Sequence, residues 1–353
     1  MKTPSQVSSL SLRLVIIVAL TAGSLLSASI VSARPINGPV TTDKSDPCLT
    51  SSARLVCYSS YLNQTLTRGG ARLALGRLQQ LKEQDTWVAA NCHSLAHALG
   101  HDAMNFYKSA SVASSQGNSL CASGYFHGVM EKYMGRFSDA DLTGQVTEVC
   151  KADWLKPEAM DYFTCLHGLG HGLGIRFQNN LDKAVPYCEA FSDEWQSSSC
   201  LSGLYMENFI ADGINHQSSD LKASDPAYPC DAVKDWQKSS CYSVVAENFL
   251  KVTGSDYGQS FALCDSVEAN YRVACYFGLG RIISDRALLN PAKILTDCSL
   301  GDPSLGGTCI GGAAANAVYF NRNTMAADEL CQMAPNEYKA ECLDNRNYGF
   351  DTL

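Results

Sequence analysis

The cysteines come in pairs of fixed spacing, and the pairs recur with a fixed period. Cys230/Cys241, Cys264/Cys275, Cys298/Cys309 and Cys331/Cys342 each have an offset of 11, and the step from pair to pair is 33 or 34. Cys188/Cys200 and Cys150/Cys165 continue the series toward the N-terminus with looser spacing. A spacing held over several copies marks a repeated structural unit. The second cysteine of a pair opens a recognisable stretch. Gly follows three positions later at Gly124, Gly168, Gly203, Gly278 and Gly312, and Trp precedes by five at Trp87, Trp195 and Trp236. Trp87 therefore makes Cys92 a member of the series.

A unit of about 34 residues suits two antiparallel helices and their turns. Strand-like alternation is scarce. Helix A ends near the first cysteine, as in Ser260-Phe-Ala-Leu-Cys264-Asp, and helix B carries the second, as in Tyr271-Arg-Val-Ala-Cys275-Tyr-Phe-Gly-Leu. A disulfide across the hairpin adds roughly 2–3 kcal/mol through loop closure. Glycine inside a helix costs roughly 1 kcal/mol, but in helix B it lets neighbouring B helices approach closely. The expected fold class is all-α: a solenoid of helical hairpins stapled by disulfides within each repeat. This layout resembles, in its architecture over roughly residues 80–350, the disulfide-stapled, tetratricopeptide-like α-α solenoids of secreted bacterial proteins. The signature residues of those repeats are not matched.

Four cysteines remain outside the six pairs. Cys48–Cys57 reads as a local staple. Cys92–Cys121 either joins the starts of two successive B helices or stays reduced as a pair of thiol ligands. The last copy, Cys342-Leu-Asp-Asn-Arg-Asn, lacks the Gly and the apolar run and reads as a polar cap.

The chain opens like a secretion signal. Lys2 and Arg13 give a basic start, Leu14 to Ala33 carries no charge, and Val31-Ser-Ala33 fits a cleavage site. The alternative is an uncleaved anchor helix, which would be the only tie to a membrane. Residues 34–47 read as a flexible leader, and residues 48–353 as one repeat domain, with histidine-bearing repeats at about 80–180 and scaffold repeats at about 181–353. Cleavage after Ala33 removes two positive charges and takes the net charge from −8 to −10, which disfavours nucleic acid and anionic membranes as partners. All 16 cysteines lie in the mature part. A dense, even set behind a signal sequence points to an oxidising, extracytoplasmic compartment, secreted or periplasmic.

Six of the seven histidines fall in three related segments. These are Cys92-His93-Ser-Leu-Ala-His97-Ala-Leu-Gly-His101, Cys121-Ala-Ser-Gly-Tyr-Phe-His127-Gly-Val-Met-Glu131 and Cys165-Leu-His167-Gly-Leu-Gly-His171. Each holds a pair of ligand-type residues four apart: His93/His97, His127/Glu131 and His167/His171. Such pairs share a helix face. His127 and His171 both lie six residues after their cysteine, as does Glu247, and Glu207 lies seven after its own. Equivalent positions of stacked B helices lie side by side. His93, His97, His127, Glu131, His167 and His171 are therefore expected to share one volume, with Glu207 able to close one end. Imidazole and carboxylate suit a transition metal such as Zn, Fe or Cu. The ligand number exceeds what one tetrahedral zinc needs, which admits a dinuclear site. His101, two turns beyond His93, is expected behind the ligands with Asp102. His216 reads as a solvated loop residue. Tyr125, Tyr205 and Arg281 are candidates to line the groove or simply to pack.

Two other readings compete with the metal: a metal-free cleft that uses histidine, and histidines packed for structure alone. No His-Glu-x-x-His is present, against the common zinc proteases. No Cys-x-x-Cys-His supports covalent haem. The run Gly168–Gly174 has no Lys-Ser/Thr after it, against a phosphate loop. Function divides into a metal-dependent enzyme, oxidative or hydrolytic, and a non-catalytic module that binds metal or protein. The groove partner is a small molecule or a protein.

Overall fold

Leu62, Leu66, Ala71, Ala74, Leu75, Leu78 and Leu81 recur at helical spacing and are all buried. They build the first helix, and the same 3.6-residue logic runs through the chain. The computed structural model describes residues 48–348, apart from 119, 122, 152–159, 212–217, 219 and 322. The signal-like segment, the leader and His216 lie outside the described residues.

The helices of the first part are α1 (Arg54–Gln84), α2 (Thr86–Ala90), α3 (Cys92–Tyr107), α4 (Ala110–Ser115), α5 (Gly124–Met134), α6 (Asp139–Val146), α7 (Met160–Arg176), α8 (Leu181–Cys188) and α9 (Glu194–Ile210). The second part holds α10 (Asp235–Tyr242), α11 (Ala246–Val252), α12 (Tyr257–Ser266), α13 (Arg272–Arg286), α14 (Pro291–Cys298), α15 (Gly306–Tyr319), α16 (Thr324–Met333) and α17 (Lys339–Tyr348). No strand occurs among the described residues; Lys222 and Asp225 form an isolated bridge. No helix among them is long and apolar enough to cross a membrane.

All sixteen cysteines pair: 150–165, 188–200, 230–241, 264–275, 298–309 and 331–342 as the repeated spacing predicts, 48–57 as the local staple, and 92–121 by the first of its two alternatives. Cys92 and Cys121 are thus not thiol ligands. Eight such pairs fit an oxidising, extracytoplasmic environment. The predicted A helices end at their cysteines, as in α8 and α14, and the B helices carry theirs near the start, as in α9, α13 and α15. One B helix is split into α10 and α11.

The turns between B and A helices also repeat. Gln178 and Asn179, Gly254 and Ser255, and Leu288 and Leu289 are each two consecutive left-handed residues. Each pair is followed by a polar N-cap, Asn180, Asp256 or Asn290, whose side chain accepts an N–H of the next helix. In α1 the helix breaks at Gly70, whose φ of 83° suits glycine. The Ala71 amide next to the break donates to the Tyr107 hydroxyl at 3.0 Å.

B helices lie side by side in chain order, α3 on α5, α5 on α7, α7 on α9, and later α13 on α15 and α15 on α17. Glycine makes this possible. A Cβ at Gly170 would strike the Cys200 carbonyl, and one at Gly203 the His167 carbonyl. The same collisions recur 109 to 110 residues later, Gly280 with the Cys309 carbonyl and Gly312 with the Phe277 carbonyl. The partners run parallel, for His93 and His97 of α3 abut Gly124 and Gly128 of α5, and His167 and His171 of α7 meet Ser202 and Glu207 of α9. At the end of the series α17 covers α15, with Tyr338 and Glu341 against Gly306 and Gly307.

Candidate metal centre

Parallel neighbours in close backbone contact present their side chains level with one another. The predicted ligands accordingly come together, but in two groups and not in one volume. His127 of α5 meets His167 and His171 of α7, with one ligand atom from each within 4.8 Å of the others. His97 and His101 of α3 meet Glu131 of α5 with the same closeness. Helix α5 serves both groups, through the pair His127/Glu131. His93 stands between them, its ring 5.2 Å from that of His127 and 6.1 Å from that of His97.

The first group is almost sealed. His127, His167 and His171 are 1 %, 3 % and 0 % exposed. Its hydrogen bonds fix the tautomers. The Ser202 hydroxyl donates to the Ser199 carbonyl at 2.8 Å. Its oxygen, 2.9 Å from His167 Nδ1, must therefore accept the Nδ1 hydrogen. His171 Nδ1 donates to the Glu207 carboxylate at 2.7 Å. Both Nδ1 atoms thus carry hydrogen, and both Nε2 atoms carry lone pairs. Those two Nε2 atoms face each other at 3.2 Å. Two buried lone pairs at that distance repel unless a metal ion or a shared proton lies between them. The ring of His127 stacks on that of His171 at 3.6 Å, and neither of its nitrogens has a hydrogen-bond partner. Burial, then the neighbouring imidazoles, hold His127 and His167 well below the usual histidine range. Those two rings are therefore neutral, which is the state a metal requires.

The second group is more open. Its Glu131 carboxylate bonds His101 Nε2 closely and lies 3.4 Å from His97 Nε2. One carboxylate oxygen between two imidazole nitrogens is a common corner of a His/His/Glu site. His93 Nδ1 donates to the Cys121 carbonyl at 3.0 Å, which leaves Nε2 as the lone-pair nitrogen of that ring.

His101 is the residue the sequence placed least well. On its own helix it has turned about 80° from His93, but α5 climbs beside α3 turn for turn, and one turn beyond His127 the next residue up is Glu131. Glu207 closes the first group, as its offset suggested. Ser202 had no signal of its own, because a serine two residues after a cysteine gains meaning only once His167 is known to face it. Tyr125 and Tyr205 are fully buried and bond to the Ala113 carbonyl and to Gln237, so both pack.

In comparisons with known proteins, no family model, curated protein or solved structure matches the chain. The site is read from its own chemistry.

Proposed function

We propose that this is a secreted or periplasmic α-α repeat solenoid that binds a transition metal through His127, His167 and His171. A second ion sits at His97, His101 and Glu131, with His93 beside both. The single observation that carries the reading is the pair of facing Nε2 lone pairs, each ring locked by an Nδ1–H bond to Ser202 or Glu207. Such outer partners orient metal-bound histidine and raise its basicity. Three imidazoles suit zinc best, with copper and iron as alternatives. The solenoid reading is supported by the repeated staples, the repeated left-handed turns and the matching glycine contacts.

Three protein ligands leave a tetrahedral ion one position for water or substrate, the arrangement of a catalytic zinc. A metal-dependent enzyme is therefore the reading adopted, with Glu207 holding and polarising His171. The near-complete burial of His127 and His171 favours the second reading, a non-catalytic metal carrier. Elemental analysis of protein purified with its disulfides intact tests the metal. The His171→Ala and His127→Ala variants should each lose metal while far-UV helicity persists, because disulfides and helix contacts hold the fold. If both keep the wild-type metal content, the metal reading is wrong. Cobalt substitution separates enzyme from carrier: a visible spectrum that shifts on adding azide reports an exchangeable position, and an unresponsive one reports a closed site.

A further inference from the structure

A cavity of about 190 Å³ adjoins the first histidine group, and His167 forms part of its wall. Its other walls come from far along the chain: Glu247 of α11, Arg281 of α13 and Asn316 of α15, with Ser123 from the turn before α5. Segments far apart in the chain meet here, for Phe163 of α7 packs with Phe277 of α13 and Ala315 of α15.

The register explains which side chains point inward. His167 and His171 lie two and six residues after Cys165, and Ser202 and Glu207 lie two and seven after Cys200. The helix pair α13/α15 has the same glycine collisions, so it offers the same four places. There they are filled by Phe277, Arg281, Gly311 and Asn316. Where α7/α9 presents His171 opposite Glu207, α13/α15 presents Arg281 opposite Asn316. The place that holds a cation ligand in one pair thus holds an anion ligand in the other.

Two donors of the lining have no partner among the described residues. Asn316 Nδ2 and Ser123 Oγ line the cavity and form no hydrogen bond, though their residues are only 6 % and 1 % exposed. Burying such groups unsatisfied is costly, so a ligand that accepts from them is favoured. Burial pulls the Arg281 guanidinium down to about 10, which still leaves it charged at neutral pH. Arg286 and Lys82 add positive charge to the same lining, against Glu247 and Asp285.

We infer that this cavity is a binding site for a small carboxylate ligand. Its carboxylate pairs with Arg281 and accepts from Asn316 and Ser123, and its far end points toward His167. Only that last clause rests on the metal reading; the carboxylate seat stands without it.

Calorimetric titration of the full chain with succinate tests the seat, on metal-loaded and on chelator-treated protein. Saturable binding is expected in both forms. A charge-assisted bond is worth about 1.5–3 kcal/mol, so Arg281→Gln should weaken binding by about tenfold or more. Asn316→Leu, which fills the cavity without touching a charge, should weaken it by several-fold and decides the matter if Arg281→Gln fails to fold. Arg72→Gln, on the exposed face of α1, should change nothing. Retention of succinate binding by His171→Ala would support the seat even if the metal reading fell. The inference is overturned by absence of saturable binding, by full binding in Asn316→Leu, or by inorganic phosphate binding in place of succinate.

Discussion

The pairs α7/α9 and α13/α15 are one scaffold used twice. Gly170 and Gly280 each lie five residues after a cysteine, and each abuts the carbonyl of the corresponding cysteine on the neighbouring helix, Cys200 or Cys309. Gly203 and Gly312 each lie three residues after a cysteine and abut the carbonyls of His167 and Phe277. Backbone geometry is therefore held constant while the inward side chains change. The first pair puts imidazoles and a carboxylate on the inner face; the second puts an arginine, an amide and a phenyl ring there. The lesson is a division of labour. Cysteine and glycine set where a helix lies, and the residues two, six and seven places after the cysteine set what the face does.

The strongest test of the shared scaffold is to disturb both pairs alike. Gly170→Val and Gly280→Val each drive a side chain into the backbone of the neighbouring helix, where no rotamer change gives relief. Overpacking of a close helix contact costs about 3 kcal/mol or more. Both variants should lose that much in urea unfolding, or fail to fold. Gly76→Ala faces open space in α1 and should gain up to about 1 kcal/mol. A large loss at Gly170 with none at Gly280 would break the equivalence.

Removing the metal should separate the two regions. An ion present at a hundred times its dissociation constant stabilises the folded state by about 2.7 kcal/mol. Chelation should therefore speed amide hydrogen exchange in α5, α7 and α9, and leave α13, α15 and α17 as they were. Equal loss of protection in both regions would mean that the metal holds the whole stack together. No loss in either would remove the metal from the first pair.

Much of this was legible in the sequence, and the reason is local. The repeated cysteine spacing gave away six of the disulfides, because a hairpin brings residues at a fixed short separation together; it left Cys92–Cys121, 29 residues apart, open. Five of the six expected ligands, His97, His127, Glu131, His167 and His171, fall in the two groups, because helical periodicity and parallel stacking carry position from one copy to the next. The division into two groups was not legible, since it depends on how α3 and α5 climb past each other and brings in His101. The cavity was not legible either. It forms where α7 meets α13 and α15, more than a hundred residues further along the chain, and no local spacing points to that meeting. Glu247 stood in register with His127 and His171, and Arg281 was a candidate groove residue, but nothing in the spacing brought either to the same cavity as His167.

The smallest expected effect is the most specific. Ser202 and Ser243 each lie two residues after a cysteine, and each donates its hydroxyl to the carbonyl three residues back at 2.8 Å. Their local geometry is thus the same, but Ser202 Oγ faces His167 and the Ser243 backbone faces Gly278. Ser202→Ala takes away the acceptor that keeps hydrogen on His167 Nδ1. The ring then loses its preferred tautomer, and the Nε2 lone pair is no longer fixed on the ion. Loss of such an outer partner lowers metal affinity by about tenfold to a hundredfold. Ser243→Ala deletes the same hydroxyl with no imidazole opposite and should leave affinity unchanged. Competition for zinc against a chelator of known affinity measures both. Equal affinity in Ser202→Ala and Ser243→Ala would mean that His167 does not bind through a tautomer fixed by Ser202, and the assignment of facing lone pairs would have to be abandoned.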